Sequence, residues 1–510
     1  MINIMRYNME AKQTLERIRK FKYLLVLEGL AVGLVSGFAV SLFRLLIGWG
    51  ENLRSTLTDN ITWMTIAFFV CMYLMVCLSL KFEPMCSGSG IPQVKGELAG
   101  QMKANSLKVL VAKILGGAAA ISAGLSVGRE GPSVQIGAMC GKMFSRLTNR
   151  LTTEQRLLIT VGSGAGLSAA FNAPLAGVVF SLEEIHKNLS MELMLAAMSA
   201  CISSDFVSSY IFGLKPVFAI EPSSILPLTS YWLLIIFGFI LGLFGVFYNN
   251  VIKLVQKAYS YIKWMPVKVA IPMAIAAVLA FYYPQVLGGG NHLIDELGSL
   301  NWELKALILL LVVKFIFSMI SFGSGSPGGI FLPLLVIGGV TGGIFATATG
   351  NEQYIENFVI LGMAGYFAAI VRSPLTGIIL ISEMTGSLSH LLSLSLVSLI
   401  AYTVADVLKA QPIYDQLLGA MLKKKPKPTH REIIFESFVQ VGSFMDERHI
   451  AELHMPAGSL IISIQRGEDE LVPSGDTILK ADDKLLILCN ENNMYEVEKL
   501  LASYAEQCVN

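Results

Sequence analysis

The stretch Gly128-Arg129-Glu130-Gly131-Pro132 is the most informative in this chain, because it places two charges at the mouth of a long apolar segment. Charged side chains at bilayer depth are costly, and they usually face a cavity or a pathway rather than lipid. The flanking glycines allow a sharp turn, and Pro132 fits the first turn of a helix. The open N–H groups of such a helix start can hold an anion. The stretch therefore predicts a titratable carboxylate, that of Glu130, where an anion would bind.

The composition of the whole chain indicates an integral membrane protein. Of its 510 residues, 54% are apolar and only 15% are charged, and the mean hydropathy is +0.62. Soluble domains carry nearer a quarter charged residues. The net charge of +1 comes with no basic patch that would suggest a nucleic-acid partner. The cysteines lack metal-ligand spacing, and no nucleophile–base set or phosphate-binding loop suggests an enzyme.

Apolar segments recur from about residue 24 to residue 408, and several are interrupted by Gly, Pro or Ser. Some are too short to cross a bilayer of about 30 Å. Broken segments are tolerated where they are buried in protein or line a watery cavity. After Met421, the run Lys423-Lys424-Lys425-Pro426-Lys427-Pro428 forms a basic linker to a small soluble domain. Because basic residues flank the apolar part at both ends, the positive-inside rule predicts two cytoplasmic termini.

The membrane part contains an internal repeat. Phe171-Asn172-Ala173-Pro174-Leu175-Ala176-Gly177 leads to Glu183, and Val371-Arg372-Ser373-Pro374-Leu375-Thr376-Gly377 leads to Glu383. In both copies the glutamate lies nine residues after the proline. Chance similarity among apolar helices is the alternative. Duplicated segments with Gly/Pro interruptions predict a transport site at the repeat interface.

Two Gly-Ser-Gly-x-Pro elements, at residues 88–92 and 323–327, are interpreted as a second repeated pair. Each is typical of a turn that leads into a helix N-terminus. Glycines expose backbone N–H groups, and Ser89 adds a hydroxyl donor, so the elements suit a halide that must be bound and released. Close helix packing by small residues is the alternative interpretation. With the helix start at residues 328–333, the elements favour an anion site.

These motifs make the chain similar to the CLC family of chloride channels and proton-coupled chloride transporters. The resemblance covers about residues 20–420 and is carried by GSGIP at 88–92, GREGP at 128–132 and GGIFLP at 328–333. It implies a mostly α, polytopic membrane protein of inverted repeats with tilted and re-entrant helices. The family implies a homodimer with one anion pathway in each subunit.

The expected domains are a cytosolic N-terminal segment (1–22), the transmembrane domain (23–421), the basic linker (422–430) and a cytosolic α+β domain (431–510).

The resemblance also assigns roles by motif. Ser89 resembles the serine that donates to the central chloride, and Glu130 resembles the external gating glutamate, with Arg129 beside it. Backbone amides in the family face the anion at the positions of Ile330 and Phe331. Tyr414 resembles the tyrosine whose hydroxyl completes the site from the inside, and an interfacial anchor is the alternative. The supporting positions are Gly88, Gly90, Gly131 and Lys113.

Lys113 is a cation within an otherwise apolar helix. One interpretation is that it biases the anion pathway electrostatically. A structural lysine that snorkels towards the membrane surface is the other.

Glu184 bears on the choice between exchanger and channel. It resembles the internal glutamate that takes protons from the cytoplasm in family exchangers. Coupled exchange needs two carboxylates, one in the anion path and one that supplies it with protons. The alternative is that Glu183 and Glu184 form a solvated pair at a helix end. We therefore predict chloride–proton exchange, with a passive, voltage- or ligand-gated chloride channel as the alternative.

Chloride is the expected substrate, because a serine at the position of Ser89 accompanies chloride preference in the family. No cofactor or metal is expected. A cation transporter is a second alternative, suggested only by the C-terminal residues. It predicts carboxylate or carbonyl cages, and the repeated helix N-termini argue against it.

The residues after the linker resemble the C-terminal domain of TrkA/RCK potassium-transport regulators. The similarity is carried by the stretches at 452–461, 464–467, 472–476 and 482–485. So small a module is expected to dimerise, and its relatives bind small ligands at the dimer interface. We hypothesise regulation by a nucleotide, with cyclic di-AMP as the first candidate, and a passive dimerisation tail is the alternative. The domain type favours the cytoplasmic (inner) membrane of a bacterium.

Overall fold

The structure is a computed structural model that describes residues 2–58, 62–150, 152–187, 190–214, 216–218, 220, 226–299, 302–422, 432–440, 442–467, 469–490 and 493–506. Of residues 2–22 it describes the backbone alone. The chain divides into two units, Met1–Val94 with Asn105–Leu418 and Lys95–Ala104 with Gly419–Asn510. Most of the predicted linker, from residue 423 onward, lies outside the described residues.

Up to Met421, the described helices form two successive sets. The first set is α1 (Ile2–Thr58), α2 (Trp63–Phe82), α3 (Ile91–Leu98), α4 (Ser106–Ser122), α5 (Glu130–Leu147), α6 (Thr152–Phe171), α7 (Pro174–Phe180) and α8 (Met191–Phe212). The second set is α9 (Tyr231–Ser260), α10 (Met265–Tyr282), α11 (Asn291–Ser299), α12 (Leu304–Gly323), α13 (Phe331–Ala348), α14 (Ile355–Val371), α15 (Pro374–Thr385) and α16 (Leu391–Val407), which α17 (Ile413–Met421) follows.

The two sets correspond helix by helix. A short 3-10 turn precedes α3 at Pro84–Cys86 and precedes α11 at Pro284–Val286. The next glycines take nearly the same left-handed conformation, with φ of 59° at Gly88 and 60° at Gly288. This conformation is open to glycine without a steric penalty, which explains the residue type at both turns. The predicted internal repeat thus relates helices α1–α8 to helices α9–α16.

The pairing of residues 88–92 with residues 323–327 is wrong. Gly88 corresponds to Gly288, whereas Gly325, with φ of 77°, follows α12 as Gly124, with φ of 90°, follows α4. Both kinds of turn need a glycine at positive φ, so the same Gly-Ser-Gly-x-Pro motif occurs at two positions that are not equivalent in the repeat.

Eight helices within the described ranges are long and apolar enough to cross a bilayer. Two of these spans, Phe331–Ala348 and Glu352–Val371, are 78% and 83% buried in protein. Glycines bring the central helices together, because a Cβ on Gly137 of α5 would collide with the carbonyl oxygen of Gly162 on α6. Gly338 and Gly362 make the same approach between α13 and α14. A helix that is apolar all round suits such a buried position.

The second unit carries a four-stranded antiparallel sheet in the order β1 (Glu432–Phe438), β4 (Lys484–Asn490), β2 (Ser459–Arg466) and β3 (Asp469–Leu471). α18 (Met494–Glu506) closes the unit. Alternate residues of β4, including Leu485, Ile487 and Cys489, point into a core that Val497 and Leu501 of α18 complete. The predicted α+β tail is confirmed, and the whole chain has the predicted, mostly α fold.

Candidate functional site

The starts of α5 and α13 lie side by side. The N–H of Gly128 donates to the carbonyl of Gly329 at 2.7 Å, and the N–H of Gly329 donates back to Gly128 at 2.7 Å. This reciprocal bridge holds the residues just before both helices in an antiparallel pair. The first N–H groups of a helix have no acceptor within it and carry positive partial charge. Two such helix starts therefore converge at one place.

The turn that carries Ser89 is joined to the same place. The N–H of Gly88 donates to Gly325 O at 3.1 Å, and the N–H of Gly328 donates to Gly88 O at 3.0 Å. Ser89 is 1% exposed, and its hydroxyl has no hydrogen-bond partner among the described residues. It lies against the first turn of α5, because a Cβ on Gly131 would collide with Ser89 Oγ. A buried hydroxyl without a partner is costly, so the site favours a ligand that accepts a hydrogen bond.

Glu130 is fully buried at the first position of α5. Within the described part of the chain, neither of its carboxylate oxygens has a hydrogen-bond partner in good geometry. Oε2 lies against Gly128, where a Cβ would collide with it, and Leu332 of α13 lies beside the same position. Arg129, the residue before the helix, is only partly buried. The structure thus places an acid at the two converging helix starts.

Phe331 begins α13 and Ile330 directly precedes it, and both are buried. The Phe331 ring contacts two other rings, with centroid distances of 4.7 Å to Phe367 and 5.6 Å to Phe171. Phe171 ends α6 and Phe367 lies on α14, and both were missed in the sequence. Nothing in an apolar segment distinguishes a ring that packs beside a site from one that packs elsewhere.

Tyr414 lies on α17 and is fully buried. Its hydroxyl has no hydrogen-bond partner among the described residues, and it is within electrostatic range of both Glu130 and Glu184. Full burial contradicts the alternative of an interfacial anchor, because such an anchor needs its hydroxyl in water. Tyr414 is therefore a buried hydroxyl that both candidate glutamates influence electrostatically.

Lys113 is fully buried on α4. Its ammonium donates to the carbonyls of Cys86 at 2.9 Å and Gly88 at 2.6 Å, so it holds the turn that carries Ser89. The snorkelling alternative is therefore wrong. Lys314 on α12, which the sequence reasoning missed, donates to the carbonyls of Val286 and Gly288 at 2.8 Å each. The sequence signal that could have identified Lys314 is that it is a second lysine in an apolar helix, at the position of the repeat that matches Lys113.

The neighbouring glutamates 183 and 184 differ in their contacts. Glu183 accepts from the N–H groups of Leu375 at 3.2 Å and Thr376 at 2.8 Å, at the start of α15. Glu184 is 3% exposed and accepts a 2.8 Å bond from the hydroxyl of Ser373. The alternative of a solvated pair is wrong, since Glu183 caps a helix and Glu184 is buried.

Within the described residues, no cluster of three or more His, Cys, Asp or Glu suits a metal.

With eight candidate spans, paired helix starts and buried glutamates, the chain has the features of a multi-span membrane transport protein. Residues 71–406 match the voltage gated chloride channel family, and residues 434–502 match the TrkA-C domain. The chain belongs to this chloride channel family, which confirms the resemblance found in the sequence.

Curated relatives from several organisms carry the name H(+)/Cl(-) exchange transporter ClcA. The protein from Citrobacter koseri is 32% identical over 425 residues, which cover 79% of this chain and 89% of the relative. The protein from Vibrio parahaemolyticus is 33% identical over 413 residues, which cover 77% of this chain and 88% of the relative.

Solved structures agree with these relatives. The crystal structure of a slow cyanobacterial Cl-/H+ antiporter has a TM-score of 0.74 and 30% identity, and the match covers 79% of this chain and 99% of that chain. A CLC-type fluoride/proton antiporter has a TM-score of 0.65 at 22% identity, over 77% of this chain and 97% of that chain, and supports the fold alone.

Proposed function

We propose that this protein exchanges chloride for protons across a membrane. The observation that carries the proposal is the position of Glu130, a buried acid at two converging helix starts. An anion and a carboxylate are attracted to the same N–H groups, so they compete for one place. That competition couples the two flows. The names of the relatives support the same activity.

The anion is held by dipoles rather than by a full opposite charge. We infer that the backbone N–H groups of Ile330 and Phe331 and the hydroxyls of Ser89 and Tyr414 bind it. Both hydroxyls are buried without a partner among the described residues, which supports donation to a ligand. N–H and O–H donors bind a halide while still allowing its release, as transport requires.

The proton pathway uses two acids. Glu130 takes up a proton when it leaves the anion path and releases it on the far side of the membrane. Glu184 exchanges protons with the cytoplasm and supplies Glu130 across the protein interior. Tyr414 lies within electrostatic range of both acids, which supports their action on one site.

The remaining assignments concern the assembly and its location. We infer a homodimer in the cytoplasmic (inner) membrane of a bacterium, with both termini in the cytoplasm. The proposed domains are 1–22, 23–421, 422–430 and 431–510. Basic residues before the first apolar segment and after the last one support this orientation.

The tail is proposed to regulate transport by binding a nucleotide, with cyclic di-AMP as the first candidate. The TrkA-C match at 434–502 and a separate hydrophobic core support a distinct module. Calorimetry on the full-length protein in detergent, with a nucleotide panel, tests this role. We expect binding that is lost when residues 431–510 are deleted. If the full-length protein binds no nucleotide, the tail is passive. The same conclusion follows if deletion of residues 431–510 leaves the heat of nucleotide binding unchanged.

Chloride-driven proton movement in proteoliposomes tests the exchange itself. A chloride gradient across vesicles is expected to move protons uphill through the parent protein. Chloride flux at high unitary conductance without proton movement would identify a passive channel instead.

A further inference from the structure

Two equivalent corners of the repeat carry a serine in one copy and an alanine in the other. The corner between α6 and α7 contains Ala173, and the corner between α14 and α15 contains Ser373. Each follows a residue in the left-handed conformation, Asn172 with φ of 51° or Arg372 with φ of 72°. A proline begins the next helix in both cases. The backbone conformation is therefore alike at the two corners, and at the position before the proline they differ by the serine hydroxyl.

A serine just before a helix usually accepts a hydrogen bond from the helix N–H groups. Ser373 makes no such bond, because Glu183 already accepts from the N–H groups of Leu375 and Thr376. At the other corner, Glu383 accepts from Leu175 N–H at 3.0 Å and Ala176 N–H at 2.7 Å, with Ala173 in the serine position. Capping by glutamate thus works without a serine, and α15 does not need the hydroxyl of Ser373.

That hydroxyl donates instead to Glu184. Ser373 Oγ lies 2.8 Å from Glu184 Oε2, and both side chains are almost completely buried. A hydrogen bond to a carboxylate is shorter and stronger than one between neutral groups. In a buried setting it also limits the rotation of the carboxylate.

The corner itself is held firmly. Arg372 donates to the carbonyls of Tyr402 at 2.8 Å and Ala410 at 3.1 Å. Asn249 of α9 donates to the carbonyls of Ile370 and Gln411, at 3.4 Å and 3.1 Å. The backbone of Ser373 is thereby fixed between α9, α14 and α16, so its hydroxyl presents a defined direction to Glu184.

We propose that Ser373 is a positioning residue for proton transfer, which holds the Glu184 carboxylate in one orientation and so sets the rate at which protons pass through it. The proposal rests on the exchange function proposed above. The serine keeps its own proton and acts only by orientation. Proton transfer depends steeply on the distance and direction of the acid, so loss of this bond slows coupled turnover.

Initial proton and chloride fluxes in proteoliposomes test the proposal. Ser373→Ala is expected to slow proton uptake about two- to tenfold, the range for the net loss of one hydrogen bond. Ser373→Thr, which keeps the hydroxyl, is expected to retain most of the parent rate. Thr376→Val is the matched control, because it removes a hydroxyl that donates to Glu183 at the same helix start. It is expected to leave the ratio of protons to chloride unchanged.

A double-mutant cycle separates positioning from a general structural effect. In a Glu184→Ala background, Ser373→Ala is expected to change chloride flux no further, because the group it orients is gone. Two results would overturn the role of Ser373 and leave exchange intact. One is that Ser373→Ala slows chloride flux equally in the parent and in the Glu184→Ala background. The other is that it does not slow proton uptake in the parent. A parent protein that moves chloride but no protons would overturn the exchange function, and the role of Ser373 with it.

Discussion

Glu183 and Glu383 hold equivalent places in the two repeats, and each caps the helix that leads to the other. Glu183 accepts from the first N–H groups of α15, which carries Glu383. Glu383 accepts from those of α7, which leads to Glu183. The two halves are thus joined by two mutual caps. A negative charge at a helix N-terminus is favourable, so both contacts stabilise the repeat interface.

Removal of either cap is expected to destabilise the membrane unit. Glu183→Ala and Glu383→Ala each leave backbone N–H groups without their carboxylate, at a cost of about 1–3 kcal/mol. Thermal unfolding in detergent measures the effect as a lower midpoint. Glu352→Ala, an exposed glutamate in a short turn, is the matched control and is expected to leave the midpoint nearly unchanged. Midpoints equal to the parent for both cap variants would contradict the mutual caps.

Lys113 and Lys314 provide a matched pair for separating stability from binding. Each ammonium satisfies two buried carbonyls, so Lys113→Met and Lys314→Met are each expected to cost about 1–3 kcal/mol of stability. Lys113 alone holds the turn that carries Ser89, so its loss is expected to weaken chloride binding as well. Chloride titration by calorimetry measures the affinity of the two variants, and their thermal unfolding midpoints measure the stability. Equal loss of chloride affinity in both variants would show that the effect is general.

The first turn of α5 leaves no room for a side chain at Gly131. A Cβ there would collide with Ser89 Oγ and crowd the backbone of Gly329. Gly131→Ala is therefore expected to displace Ser89 and to reduce chloride affinity by about tenfold or more, equivalent to roughly 1.4 kcal/mol. Gly48→Ala is the control, because the new methyl group would meet no described atom within 4 Å beyond its chain neighbours and the local helix backbone. Parent-like chloride binding by the Gly131 variant would show that Ser89 does not contact the anion.

In the tail, Asp483 is fully buried and accepts two bonds from Arg466, Nε to Oδ1 at 2.8 Å and Nη2 to Oδ2 at 2.7 Å. Burial alone would raise the pKa of Asp483, but these bonds and the N–H of Lys480 outweigh it and lower the pKa below its ordinary value. A carboxyl with a lowered folded pKa stabilises the fold above its unfolded pKa, and that contribution is lost as the pH falls through the folded pKa. Tail stability is therefore expected to be constant near neutral pH and to fall below about pH 4.

Asp483→Asn tests this ion pair. It is expected to lower tail stability by about 2 kcal/mol at neutral pH, because Arg466 is only partly shielded from solvent. It is also expected to remove the acid dependence. Hydrogen exchange of the tail amides in the full-length protein measures both. The control is Glu452→Gln in the exposed Arg448–Glu452 pair, which is expected to change little. An unchanged acid dependence in Asp483→Asn would contradict the pKa assignment.

Much of the fold follows from local sequence. Pro132 and Pro333 mark the starts of α5 and α13, since proline fits the first turn of a helix and glycines before it allow the sharp turn. The composition indicated an integral membrane protein, and the change of character after the basic linker indicated a small soluble domain. These signals are local, so a sequence displays them directly.

Contacts between distant residues could not be derived in this way. Glu183 and Glu184 are adjacent and identical, and only the fold shows that one caps α15 while the other meets Ser373. The pairing of residues 88–92 with residues 323–327 was wrong because a turn at positive φ requires glycine wherever it occurs. The glycine alone does not show which turn of the other repeat is equivalent. Phe171 and Phe367 were missed because apolar residues carry no local sign of their partners.

The proton and chloride fluxes of Glu184→Gln, measured beside the parent and Glu130→Ala in proteoliposomes, test the central claim most directly. We predict that a chloride gradient drives protons uphill through the parent, and that Glu184→Gln abolishes proton movement while chloride still flows. Glu130→Ala is predicted to carry chloride without coupling, because no carboxylate then competes for the anion site. Proton pumping by Glu184→Gln at the parent ratio would contradict the two-glutamate mechanism.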